Sequence, residues 1–192
     1  LNGIYLHAAE SGGIAMLRAV ATDGHRLALV DTPLPDGAAN MPGVIVPRKA
    51  INELRKLIDE TGDDIVVSLS ETKIRFEFDD AVMSSKLIDG TFPEYQRVIP
   101  EGNDKVMEVD AKTFAQAVDR VSTISTEKSR SVKLGLSNGL ATLIATSPDN
   151  GSATEELAVI YDSDDMEIGF NSRYLLEMTA QIEGDMAQFV LS

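Results

Sequence analysis

The chain has 192 residues, about 43% of them hydrophobic, which allows one large domain or two small ones around a sizeable core. Its 31 acidic and 17 basic residues give a formal net charge of -14, which disfavours a nucleic-acid partner unless positive charge is gathered locally. With no cysteine, no apolar run near the roughly 18 residues that cross a bilayer, and no basic leader, disulfide and thiolate-metal frameworks are excluded and a cytoplasmic globular protein without a membrane partner is expected.

The chain opens at Leu1 without an initiator methionine. Residues 14–30 alternate around Asp23-Gly24, and because Gly takes positive φ cheaply, this spacing predicts two antiparallel strands. A first helix is expected from Val46-Pro47-Arg48-Lys49-Ala50-Ile51-Asn52-Glu53-Leu54, where Pro47 presets φ and Ile51, Leu54 and Ile58 share one face. Strands are then predicted over residues 65–70, 73–78 and 82–87. Pro and Gly between residues 91 and 104 interrupt strand pairing, so a domain boundary is expected near Glu94, with domains over 1–94 and 95–192. A strand over 105–109 leads to a second helix capped by Asp110, with Phe114, Ala117 and Val121 facing inward. Strands over 132–137, 141–146, 154–161 and 166–170 precede a third helix capped by Asn171, with Leu175, Met178 and Ile182 as its apolar face. The closing run, residues 187–192, reads as a strand with no partner strand after it, and with the missing methionine this suggests a piece of a longer protein.

The three helices superpose as an internal repeat of strand, helix and strands, so the fold class expected is α+β. Lys49, Lys112 and Arg173 occupy one register, 63 and then 61 residues apart. At 100° per residue Lys49 and Lys56 project roughly 180° from the apolar face of the first helix. One outward cation thus recurs in each repeat beside a helix N-terminus, although the first helix is the most basic of the three.

The segment Val20-Ala21-Thr22-Asp23-Gly24-His25-Arg26-Leu27-Ala28 resembles the signature hairpin of the bacterial sliding clamps, the beta subunits of DNA polymerase III. Further matches follow in order: Val46-Pro47-Arg48-Lys49, Ser85-Lys86-Leu87-Ile88-Asp89-Gly90, Phe92-Pro93-Glu94-Tyr95-Gln96-Arg97-Val98-Ile99-Pro100, and Met166-Glu167-Ile168-Gly169-Phe170-Asn171. The resemblance covers nearly the whole chain and implies the DNA clamp fold, with helices on one face and antiparallel sheets on the other. It further implies most of the middle and last domains of a three-domain subunit, whose homodimer ring encircles double-stranded DNA without reading its sequence. Such a subunit is a non-catalytic processivity factor without a cofactor. Its implied partners are the DNA polymerase III alpha subunit, the clamp loader, and other polymerases and repair proteins that carry short linear motifs.

By position, the family's motif-binding pocket, between the middle and last domains, falls on Leu1, Thr22, Gly24, His25, Arg26, Leu27, Pro93, Arg97 and Val98. Leu1, Leu27, Pro93 and Val98 offer apolar contact, while Arg26, Arg97 and backbone groups beside Gly24 can orient polar peptide atoms. The implied DNA-facing residues are Arg48, Lys49, Lys56, Lys112 and Arg173. Three other readings compete with this. Asp23 and His25 could serve acid-base chemistry, but no nucleophile elbow or glycine-rich phosphate loop accompanies them, and Asp162, Asp164 and Asp165 lack the spacing of a calcium loop. A generic beta-rich interaction module without a DNA partner fits the composition equally well, and only the ordered motifs separate it from a clamp.

Overall fold

The computed structural model describes residues 2–58, 64–78, 80–125 and 130–192 and divides into two compact units, Leu1–Val98 and Ile99–Ser192. The first unit opens with strands β1 (Gly3–Ser11), β2 (Ile14–Thr22), β3 (Leu27–Pro33) and β4 (Val44–Pro47), an antiparallel sheet in the order β3-β2-β1-β4. Strand β1 was not among the expected elements. It forms because Gly12 and Gly13, both at positive φ, close a two-residue turn that pairs Ser11 with Ile14 and sets the register of seven residue pairs, Tyr5 to Ser11 against Val20 to Ile14. Leu6, Val44 and Val46 point to one face of this sheet, where they join Ala50 of helix α1 (Arg48–Ile58) in a core. A second antiparallel sheet, β5 (Val66–Leu69), β6 (Lys73–Phe78) and β7 (Ala81–Lys86), completes that core through Ile74, Phe76 and Phe78, alternate residues of β6. In α1 two residues of the expected face, Ile51 and Leu54, pack half-buried against the core. A short 3-10 turn, Tyr95–Val98, ends the unit.

In the second unit, β8 (Lys105–Asp110) runs into α2 (Ala111–Ser122), whose first turn is closed by the Asp110 carboxylate accepting from the Thr113 amide at 2.7 Å. Strands β9 (Ser131–Ser137), β10 (Leu140–Ser147), β11 (Gly151–Ala158) and β12 (Met166–Asn171) form a sheet ordered β11-β10-β9-β12. Phe114, Ala117 and Val121 of α2 are buried against it, as the periodicity requires. The chain then forms α3 (Ser172–Thr179), packed on α2, and β13 (Met186–Leu191). The closing run does find a partner: β13 pairs antiparallel with β8, far upstream.

Two expectations are corrected. Helix α3 buries Ser172, Leu175 and Thr179, while Met178 is 44% exposed and Ile182 lies past the helix end at 38%. The helix is eight residues long, and the Thr179 hydroxyl donates back to the carbonyls of Leu175 and Leu176, so the buried side follows Leu175 and Thr179 and there is no third turn to carry Ile182 inward. The strand expected to reach residue 161 stops at Ala158. Ile160 instead exchanges both backbone hydrogen bonds with Glu108, at 2.9 Å each. No helix among the described residues is long and apolar enough to cross a membrane.

Candidate functional site

The β2–β3 hairpin carries the first cluster of candidate residues. Its loop is four residues, Asp23 to Arg26, so Asp23-Gly24 forms only the leading half of the turn. Gly24 sits at φ +87, where a side chain would strain the backbone. The loop satisfies its own polar groups. One Asp23 carboxylate oxygen accepts from the amides of His25 and Arg26 at 3.0 Å, and the other accepts from the Arg26 guanidinium at 3.2 Å. The Thr22 hydroxyl donates to the Arg26 carbonyl at 2.8 Å and accepts from the Gly24 amide at 3.2 Å. Those two amides, followed by the Arg26 side chain, hold the Asp23 carboxyl below the usual carboxylate range. The loop therefore presents His25 and Arg26 on a self-bonded frame.

Strand registers decide what lies beside this loop. Asp31, Arg18 and His7 are direct partners across β3, β2 and β1, and Thr22 pairs with Leu27. Because alternate residues share a face, Thr22 and Leu27 lie on the same side of the sheet as that row, with Val20 and Leu29 between. Tyr95 covers this side. It is 2% exposed, and its hydroxyl lies 3.0 Å from His7 Nε2 and 3.4 Å from Arg18 Nη1. Phe92 stacks on Tyr5, a same-face neighbour of His7, at 4.9 Å between centroids. Pro93, Arg97 and Val98 flank Tyr95 and are all exposed, Val98 at 68%. One sheet face thus carries Thr22 and Leu27, with the hairpin loop at its end, and seats the segment bearing Pro93, Arg97 and Val98. Leu1 lies outside the described residues.

The candidate DNA-facing residues are exposed on their helices, away from the buried sides. On α1, Arg48, Lys49, Arg55 and Lys56 line a shallow groove with Asn2, Asn52 and Glu53, and Lys56 pairs with Glu53 at 3.0 Å. Lys112 lies in the first turn of α2. Arg173 follows the Asn171 cap of α3 and pairs with Glu177 at 2.7 Å. The structure gathers Arg48, Lys49 and Lys56 on one helix, whereas Lys112 and Arg173 stand on separate helices of the other unit.

Family comparison supplies the decisive observation. Residues 1–94 match the central domain of the DNA polymerase III beta subunit, and residues 96–192 match its C-terminal domain, in that order. The chain belongs to this family of sliding clamps. It is 53% identical to the beta sliding clamp of Caulobacter vibrioides over 98% of this chain and 51% of that protein. Against the beta sliding clamp of Escherichia coli the identity is 37%, over 92% of this chain and 48% of that protein. The structure of the Bartonella birtlesii sliding clamp bound to griselimycin superposes with a TM-score of 0.93 at 53% identity, covering all of this chain and 52% of that one. The chain therefore spans about half the length of the clamps it matches.

Sequence reasoning about this clamp chain missed the row of Asp31, Arg18 and His7 beneath Tyr95. Alternation would have put Arg18 and Thr22 on one side of β2, but the contact of Tyr95 with His7 joins residues 88 positions apart, which no local pattern encodes.

Proposed function

We propose that this chain is part of a sliding clamp that tethers the replicative polymerase to DNA during cytoplasmic DNA replication, and that it recruits partners through a peptide pocket without catalysing a reaction itself. The observation that carries this reading is the ordered match of both family domains along the chain, with 53% identity to a beta sliding clamp over 98% of its length. The peptide site comprises Leu1, Thr22, Gly24, His25, Arg26, Leu27, Pro93, Arg97 and Val98. The self-bonded loop and the seating of Tyr95 on the same sheet face support it, since a pre-formed surface lowers the ordering cost of capturing a short peptide. The DNA-facing residues are Arg48, Lys49, Lys56, Lys112 and Arg173. Their helices supply backbone-directed positive charge to an acidic protein, which suits sequence-independent contact. The implied partners are double-stranded DNA, a second subunit in the ring, and the motif-bearing alpha subunit, clamp loader and repair proteins.

The test is titration of a labelled peptide, glutamine followed by a leucine and phenylalanine tail, against the complete protein. Binding that weakens at least about tenfold in Arg97→Ala and in His25→Ala supports the pocket. Failure of the unmodified protein to bind, or affinity in both variants unchanged from that of the unmodified protein, overturns it.

A further inference from the structure

We infer that Tyr95 is the positioning residue of the peptide site, and that a neutral His7 is what holds it; this rests on the pocket proposed above and adds the device that sets its shape.

The directions of the hydrogen bonds follow from what each atom can do. His7 Nδ1 lies 2.8 Å from the Ala8 carbonyl, which can only accept, so Nδ1 carries the ring proton. In the neutral ring Nε2 is then the acceptor, and at 3.0 Å it takes the proton of the Tyr95 hydroxyl. The same hydroxyl oxygen accepts from Arg18 Nη1 at 3.4 Å. Arg18 is fixed in turn by two bonds of 2.7 Å from its Nε and Nη2 to the Asp31 carboxylate. The chain therefore runs one way, from Arg18 to Tyr95 to His7 to the backbone, and the single hydroxyl proton is already committed.

Nothing else anchors this stretch so deeply. Between Pro93 and Val98, Tyr95 is the one buried residue, and the neighbouring Pro93, Glu94, Gln96, Arg97 and Val98 are exposed. The backbone bonds there are local, Tyr95 N to Pro93 O at 2.7 Å and Arg97 N to Glu94 O at 3.2 Å, so they shape the turn without attaching it to the sheet. The position of Pro93 on one side and of Arg97 and Val98 on the other thus follows the Tyr95 hydroxyl. Phe92 on Tyr5 fixes the near end of the segment but leaves the far end to Tyr95.

Protonation of His7 reverses one link. Nε2 becomes a donor to an oxygen that Arg18 already donates to, and the hydroxyl proton loses its acceptor. The titratable and charged groups around the ring are Tyr5 on its own strand, Arg18 from β2, Asp31 from β3, and Tyr95 above. Asp31 is committed to Arg18 and cannot replace the lost acceptor of Tyr95.

The experiment uses the same labelled peptide on the complete protein. Tyr95→Phe keeps the ring and removes the hydroxyl, and it is expected to weaken binding about tenfold, the effect of one buried hydrogen bond. His7→Leu is expected to match it, the double variant to be no weaker than either single one, and His7→Gln, which retains an acceptor at the Nε2 position, to bind as the unmodified protein does. Lowering the pH from about 7.5 to about 5.5, the range over which imidazoles change charge, is expected to weaken the unmodified protein more than His7→Gln. His25 is present in both proteins, so the difference reports His7. Should Tyr95→Phe fail to fold, the comparison of His7→Leu with His7→Gln decides alone. Unchanged affinity in Tyr95→Phe, effects that multiply in the double variant, or equal weakness of His7→Gln and His7→Leu overturns the inference. If Arg97→Ala still weakens binding at least about tenfold in that case, the pocket stands and only the positioning role falls.

Discussion

At the scale of residues, the Arg18–Asp31 pair offers a direct reading of acid stability. Arg18 holds the Asp31 carboxyl below the usual carboxylate range, chiefly through the paired hydrogen bonds. A depressed carboxyl stabilises the fold above the ordinary carboxylate pKa, and this contribution is lost as the pH falls through the lower value of the folded state. The melting temperature of the unmodified protein is therefore expected to exceed that of Asp31→Asn by a constant margin above about pH 5, and the gap to close below about pH 4. Thermal melts across that range check it; a margin unchanged down to about pH 2 would show that the pair does not carry the effect. Asp23 has the same kind of depressed carboxyl, but there the backbone amides of His25 and Arg26 are the main cause. The Arg18–Asp31 pair was hidden, because it depends on the register of β2 against β3.

At the scale of elements, α2 shows where periodicity suffices. Phe114, Ala117, Val118 and Val121 are all buried, and their spacing alone defines that side of the helix. Phe114→Ala is expected to destabilise the second unit by about 3–5 kcal/mol, read by denaturant unfolding, since it empties a fully enclosed site. Helix α3 shows where periodicity fails. Eight residues hold too few turns to define a stripe, so tertiary packing chose Ser172 and Thr179 over Met178. Helix α1 is short of buried residues but rich in outward cations, and its expected behaviour is electrostatic. Replacing Lys49 and Lys56 with Glu in the complete protein is expected to weaken DNA association at low salt and to reduce its salt dependence by about one unit per residue. Nitrocellulose filter or fluorescence binding across a salt series measures this, and an unaltered slope would place α1 away from DNA.

At the scale of the whole molecule, retention by encirclement makes a qualitative claim: the complete subunit is expected to persist on circular DNA and to slide off linear DNA after loading, and equal retention on both would contradict topological tethering. The sequence by itself determined the α+β class, the β2–β3 hairpin, the starts of the three helices and the motifs of the family, since each depends on neighbours within a few turns or on residues kept in order. Only the tertiary structure decided the pairing of β13 with β8, the existence of β1 as the partner of both β2 and β4, and the row of Asp31, Arg18 and His7 under Tyr95. Those features rest on strand registers and on contacts between distant residues, and a one-residue slip in register would send every side chain of a strand to the opposite face.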